Sequence, residues 1–220
     1  EATELLNRVK GNGVLPMITS CSPGWVNYAE TYYPDLLPHV STCKSPHEMQ
    51  GAILKSYYAQ QKGIDPADIF VVSIMPCTAK KYEKDRDQLK NNAGLPDVDA
   101  VLTVTELAEM IRRSGILFKR LPDEDYDQDI MGDYSGAGTI FGVTGGVMEA
   151  ALRTAYFVLE GKEHEGIKFE AVRGIKELKE ASVEMGGMTV NVAVTSGMAN
   201  ASKLLDDIRA GKSKYQFIEI

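Results

Sequence analysis

The chain has 220 residues, 44% of them hydrophobic and 25% charged, with a formal net charge of −7. That balance is the one expected of a globular protein able to bury a sizeable core, as one large domain or two joined lobes. The acidity, with no basic stripe to neutralise phosphates, excludes a nucleic-acid partner, and no apolar run approaches the roughly 20 residues that span a bilayer. Ala2 to Lys10 reads as a short amphipathic helix with Leu5, Leu6 and Val9 on its apolar face, ended by Gly11-Asn12-Gly13. Val14 to Thr19 reads as a buried strand, followed at once by Cys21-Ser22-Pro23-Gly24 and a helix from Trp25 to Tyr32. Ser45-Pro46 opens a long helix, Glu48 to Gln61, with the proline at the favoured first-turn position.

Ile69 to Met75 is an apolar, β-rich run of the kind buried on both faces of a parallel sheet. Pro76-Cys77 ends it, and Thr78 is placed to cap a helix over Ala79 to Arg86. A strand, Ala100 to Val104, and a helix, Thr105 to Ser114, follow, and residues 117–133 read as an acidic, exposed excursion. The glycine-rich stretch Gly136 to Gly146 leads into a helix over Val147 to Leu159. The remainder predicts a strand at Phe169 to Val172 and a hairpin of Ala181 to Met185 with Met188 to Thr195. A helix at Asn200 to Ala210 and a last strand at Tyr215 to Ile220 complete it. Strands alternating with crossover helices predict an α/β fold with largely parallel sheets. A first residue other than Met and an end on a strand-like run make both termini read as cuts in a longer protein.

The three cysteines, Cys21, Cys43 and Cys77, are an odd number without close spacing. That argues against a disulfide framework and for a reducing, cytoplasmic compartment. Cys21 and Cys77 occupy the same slot, each after the carboxyl end of a predicted buried strand and before a helix. Ligands of open α/β sheets bind there, and a helix N-terminus lowers a thiol toward the metal-ligating thiolate. The bland alternative for either cysteine is a core thiol. His39, His47 and His164 show no metal spacing and are expected at the surface. Around Gly136, Gly138 and Gly142 no G-x-G-x-x-G phosphate cradle is completed, since Phe141 stands where the third glycine belongs.

Thr19-Ser20-Cys21-Ser22-Pro23-Gly24-Trp25 and Met75-Pro76-Cys77-Thr78-Ala79-Lys80-Lys81-Tyr82-Glu83 closely resemble the first two signature motifs of iron-only ([FeFe]) hydrogenases. The resemblance continues through Ser41-Thr42-Cys43-Lys44-Ser45-Pro46 and Gly132-Asp133-Tyr134-Ser135-Gly136-Ala137-Gly138. It reaches Phe141-Gly142-Val143-Thr144-Gly145-Gly146-Val147-Met148-Glu149-Ala150-Ala151, covering essentially the whole chain in order. It implies a two-lobed α/β catalytic domain with its cluster in the cleft between lobes. The implied cofactor is a [4Fe–4S] cubane linked to a di-iron subsite with CO, cyanide and azadithiolate ligands. The implied activity is the reversible interconversion of H2 with protons and electrons, with ferredoxin or NAD-linked subunits as electron partners.

The resemblance implies roles residue by residue. Cys77 matches a cubane ligand, Lys80 a lysine that contacts a cyanide of the subsite, and Glu83 the glutamate that pairs with it. Ser45 matches a residue near the second cyanide, Met75 a methionine beside the bridging ligands, and Phe141 and Gly142 residues of the pocket wall. Glu1, Glu4 and Ser41 match a proton path from the surface, and Glu1 and Glu4 lie three apart on one helix face. Where the family has two adjacent cysteines, a proton donor and then a cubane ligand, this chain has Cys21 and Ser22. Either Cys21 relays protons and Ser22 ligates through oxygen, or Cys21 ligates and Ser22 relays; sulfur is the softer and better cluster ligand. Cys43 matches no ligand and is expected to be a buried structural thiol. The family's N-terminal ferredoxin-like modules and its last cysteine motif are not in the sequence, so these 220 residues alone are expected to be inactive. Two other functions fit the same motifs: a non-catalytic iron–sulfur assembly or interaction protein, and an H2 sensor. Cys21, Lys80 and the glutamate–serine series favour the enzyme, because a scaffold needs no proton relay.

Overall fold

The computed structural model describes residues 1–125, 131–133, 136–164, 166–172 and 177–220. The chain divides into two compact units, one of Glu1–Cys43 with Ser135–Ile220 and one of Lys44–Tyr134. The helices are α1 (Ala2–Asn7), α2 (Pro23–Tyr32), α3 (Pro46–Ile53), α4 (Ala59–Lys62), α5 (Ala79–Glu83), α6 (Val104–Arg113), α7 (Gly136–Ile140), α8 (Gly146–Glu160) and α9 (Met198–Arg209). The strands are β1 (Met17–Ile18), β2 (Val72–Met75), β3 (Ala100–Thr103), β4 (Glu170–Ala171), β5 (Leu178–Met185), β6 (Met188–Thr195) and β7 (Phe217–Glu219).

The first unit is built on a five-stranded sheet in the order β1-β7-β6-β5-β4. β1 and β6 pair parallel with β7, whereas the β5–β6 hairpin and β4 are antiparallel. Because successive strand residues face opposite sides, neighbours in sequence enter different cores. Met17, Val192, Val194 and Phe217 pack with Leu5 and Leu6 of α1 and with Met148 and Leu152 of α8. Ile18, Ala193 and Ile218 pack on the other face with Trp25 and Ala29 of α2 and Leu204, Leu205 and Ile208 of α9. The result is a helix–sheet–helix sandwich whose central strands are buried on both faces. Trp25, wholly buried, keeps its indole satisfied by donating to the Thr19 carbonyl at 2.8 Å.

The second unit is smaller. β2 and β3 form a two-stranded parallel sheet, Val72–Met75 against Ala100–Thr103. α3 runs through a π-helical turn, Leu54–Tyr58, into α4, so the predicted long helix is present with a local widening. α3 lies so close to the chain at Asp97 that a Cβ on Gly51 would stand 2.5 Å from the Asp97 carbonyl oxygen. Lys55, buried, donates to the Pro96 carbonyl and pairs with Asp99, each at 2.7 Å, and Lys44 pairs with buried Asp97. α6 opens with a full capping box, Thr103 and Glu106 each satisfying the other's backbone amide.

Three sequence expectations are corrected. The strand expected over Val14 to Thr19 is only Met17–Ile18, because Pro16 brings no N–H to the ladder. The run Ile69 to Met75 is not buried on both faces: Phe70 is 71%, Val72 47% and Ile74 42% exposed. A parallel sheet buries both faces when crossover helices cover both, and the face of this two-stranded sheet that carries Phe70, Val72 and Ile74 is left open among the described residues. Thr78 stands at the N-cap of α5 but its side chain makes no capping bond. α7 is a helical turn within the glycine-rich stretch. Residues 126–130 of the predicted acidic excursion lie outside the described residues; 117–125 are exposed as expected.

Candidate functional site

In the first unit, β1 delivers the chain to Ser20-Cys21-Ser22, and Pro23 starts α2 at the position where a missing N–H costs nothing. Ser22 is the N-cap, yet its hydroxyl makes no capping bond. Cys21 is half-buried, and none of the three cysteines forms a disulfide. Ser20 donates to the Cys43 carbonyl at 2.6 Å, tying the cysteine turn to the segment after Ser41.

Glu4 is the hub of that segment. Buried Ser41 donates to Glu4 Oε2 at 2.7 Å, the Thr42 amide lies 3.1 and 3.2 Å from the two carboxylate oxygens, and Arg8 Nη2 approaches to 2.6 Å. Burial pushes the Glu4 carboxyl upward, but the bonds from Ser41, Thr42 and Arg8 outweigh it and hold the group below its ordinary value. Glu1 goes the other way: burial raises its carboxyl, against the lowering by the bond from the Ser20 amide. Glu1, Glu4, Arg8, Thr42 and Cys43 line an open cavity of about 630 Å³. Cys43 is half-buried rather than buried, and its thiol lies 3.6 Å from Glu4 Oε2, so it belongs to this cluster and not to the core.

Arg8 was not singled out by sequence, although its i,i+4 relation to Glu4 was a usable signal. Its guanidinium, 7% exposed, donates to the carbonyls of Val14, Pro38, His39 and Val40 at 3.0 to 3.1 Å. A second unpredicted group is Glu219, whose carboxylate accepts from the Gly145 and Met148 amides at 3.0 and 2.7 Å. It thereby caps the N-terminus of α8. Phe141 and Gly142 lie in the turn between α7 and α8, with Phe141 39% exposed. Gly146 just after them is required sterically, since a Cβ there would stand 1.7 Å from the Ile140 carbonyl oxygen. Residues 134 and 135 of the glycine-rich motif lie outside the described residues.

In the second unit, β2 ends at half-buried Met75, and Cys77 follows as an exposed thiol ahead of α5. One turn on, Lys80 Nζ lies 2.8 Å from Glu83 Oε2. Glu83 is buried, and the same oxygen accepts from Ser45 at 3.0 Å and faces His47 Nδ1 at 3.1 Å. Burial pushes Glu83 upward, but His47, Lys80 and Ser45 together hold it below its ordinary value. Ser45 also accepts from the Glu48 amide as the N-cap of α3. His47, expected at the surface, is 8% exposed, and its Nδ1 is also 3.1 Å from Glu48 Oε1. Burial alone would lower its pKa, yet the two carboxylates raise it. The surface expectation fails because His47 and Glu48 fall on the face of α3 turned toward α5.

The whole chain, residues 1–220, matches the family model described as iron only hydrogenase large subunit, C-terminal domain. The chain belongs to that family. It is 53% identical to the periplasmic [Fe] hydrogenase large subunit of Nitratidesulfovibrio vulgaris, over all of this chain and 52% of that protein. It is 46% identical to the NADP-reducing hydrogenase subunit HndD of Solidesulfovibrio fructosivorans, over all of this chain and 38% of that one. A solved variant of the [FeFe]-hydrogenase HydA1 from Chlamydomonas reinhardtii superposes with a TM-score of 0.85 at 40% identity. It covers 100% of this chain and 63% of that one. More distantly, the chain is 30% identical to cytosolic iron-sulfur assembly component 3 of Pongo abelii, over 99% of this chain and 47% of that protein. The chain thus spans about half, or less, of the curated relatives it matches. No helix among the described residues is long and apolar enough to cross a membrane.

The donor set tests the cofactor that the family implies. A cubane takes four thiolates, and this chain has three cysteines, of which Cys43 lies against Glu4. Cys77, an exposed thiol at a strand end before a helix in the second unit, and Cys21, half-buried in the equivalent position of the first, each have the chemistry of a cluster ligand. The residues present therefore supply part of the ligands.

Proposed function

We infer that these residues are part of the catalytic domain of an iron-only hydrogenase that interconverts H2 with protons and electrons. Cys77 serves as a cubane ligand, Cys21 as either the proton relay or a second cubane ligand with Ser22 in the other role, and further thiolates come from outside these 220 residues. When bound, the [4Fe–4S]-linked di-iron group supplies the redox chemistry. Lys80, held by Glu83, presents an ammonium suited to an anionic ligand of that group, and Ser45 a hydroxyl to another. The resemblance assigns Met75, Phe141 and Gly142 to the surroundings of that group. Glu1, Glu4 and Ser41 move protons from the surface.

The observation that carries this reading is the buried Ser41 hydroxyl donating to Glu4 at 2.7 Å beside an open cavity. A carboxylate with a hydroxyl on it, reachable from solvent, is what proton transfer needs and what an assembly scaffold does not. The resemblance favours ferredoxin or NAD-linked subunits as electron partners.

A second reading, an iron–sulfur assembly protein, is favoured by Ser22 at a ligand position and by the likeness to the assembly component. The full-length protein, loaded with its cluster under anaerobic conditions, separates the two. H2 evolution with a reduced electron donor supports the enzyme. A protein with full iron content and a cubane EPR signal but no H2 turnover overturns it in favour of the scaffold or of an H2 sensor.

A further inference from the structure

The group of His47, Glu48 and Glu83 is not used up by the function proposed above. Its three candidate donor atoms lie within 4.8 Å of one another, and all three residues are buried. His47 Nδ1 is 3.1 Å from an oxygen of each carboxylate. A transition-metal ion with bonds of about 2.0–2.2 Å has neighbouring donors about 3.0–3.4 Å apart, a spacing that His47 Nδ1 already has to each carboxylate.

The hydrogen bonding of the group is incomplete. Glu48 is 0% exposed, and neither of its carboxylate oxygens has a hydrogen-bond donor; His47 Nε2 likewise has no partner. His47 Nδ1 carries one proton at most, and Glu83 takes it with good geometry, leaving Glu48 close but badly served. Buried carboxylates are ordinarily paired, hydrogen-bonded or on a metal.

We propose that His47, Glu48 and Glu83 bind one divalent transition-metal ion of zinc-like chemistry, held by an imidazole nitrogen and two carboxylate oxygens. One imidazole and two carboxylates suit zinc, manganese or ferrous iron and offer nothing to a soft monovalent ion. The ion takes the place of the proton that His47 Nδ1 shares with Glu83, so binding releases a proton. Glu48 has no surface, so the ion enters as the chain folds and is retained afterwards. Because Glu83 also holds Lys80, occupancy loosens the ammonium from the shared oxygen. The site itself does not depend on the hydrogenase reading.

The test uses the full-length protein produced in zinc-supplemented medium, with bound metals quantified after exhaustive dialysis. One zinc per chain is expected beyond the cluster iron, unchanged in His164→Gln and reduced at least tenfold in His47→Gln and in Glu48→Gln. Zinc retained equally by those two variants overturns the site, since it then sits on other residues. Should either variant fail to fold, the unaltered protein still decides. Cobalt supplied instead of zinc gives visible d–d bands without thiolate charge transfer if the donors are nitrogen and oxygen. Thiolate bands, or no bound cobalt or zinc at all, overturn the proposal and leave a His47–carboxylate ion pair.

Discussion

Strand β2 of the second unit and strand β7 of the first both read in sequence as short apolar runs after a polar stretch, yet they end in opposite environments. Phe217 and Ile218 of β7 are completely buried, one on each face, because β1 and β6 flank the strand and helices cover both sides. Val72 and Ile74 of β2 are nearly half-exposed in a two-stranded sheet. The first unit is therefore held by apolar burial, worth about 1.5–3 kcal/mol for each large side chain. The second relies more on buried polar pairs: Lys55 on Asp99, Lys44 on Asp97, and His47, Lys80 and Ser45 on Glu83. Apolar cores tolerate pH and salt; paired charges fail when one partner is removed or titrated.

Two substitutions share the largest expected effect and test that contrast directly. Phe217→Ala should cost the first unit about 3–5 kcal/mol in denaturant unfolding, through lost burial and the cavity left behind. Glu83→Ala should cost the second unit a similar amount, about 3–5 kcal/mol, by removing the buried carboxylate that Lys80, His47 and Ser45 share. Hydrogen exchange read by peptide should localise the first loss to residues 1–43 and 136–220 and the second to 44–133. A loss from Glu83→Ala spread over both units would break the comparison. Next, Glu4→Gln should lower H2 turnover of the full-length protein about 100-fold with cluster content unchanged, as expected for a lost proton carrier; turnover within twofold of the parent would remove Glu4 from the path. Thr103→Ala, deleting the capping box of α6, should cost about 1 kcal/mol.

The smallest effect is the pH response, and its sign differs between the units. In metal-free protein, His47 has a raised folded pKa, so its contribution is complete below 6.5 and is lost as pH rises through the folded value. Glu83 has a lowered folded pKa, so its contribution is present above 4.5 and is lost as pH falls through the folded value. The second unit should therefore be most protected between pH 4.5 and 6.5. In the first unit, Glu219 and Glu1 are raised by burial and their ionisation weakens the fold as pH climbs, while Glu4 gives stability that is lost only in acid. Exchange rates across pH 4 to 9 that show the second unit equally protected at pH 5.5 and pH 8 would remove His47 from its proposed charged state.

Much of the fold was legible in order and type. The β5–β6 hairpin across Gly186-Gly187 and helices α2, α6, α8 and α9 lie where periodicity and capping residues put them. The short strand at Met17–Ile18 and the exposure of β2 were not legible, because local composition carries no information on how many strands or helices will flank a run. Of the candidate site, the cysteine turns and the placement of Lys80 one turn before Glu83 follow from spacing alone. Cys43 on Glu4, Arg8 on the Pro38, His39 and Val40 carbonyls and Glu219 on the α8 amides do not, since their partners lie far away in sequence.

The sequence by itself determined the family, the strand–cysteine–helix turns and the residues available for proton transfer, because long ordered motifs and i,i+3 spacing are local properties. Only the tertiary structure decided that His47 is buried between two carboxylates and that Ser41 donates to Glu4. It also decided that the two sheets differ in cover. Burial and charge pairing are set by which distant segments pack together, and that packing shifts the pKa values and assembles the donor atoms.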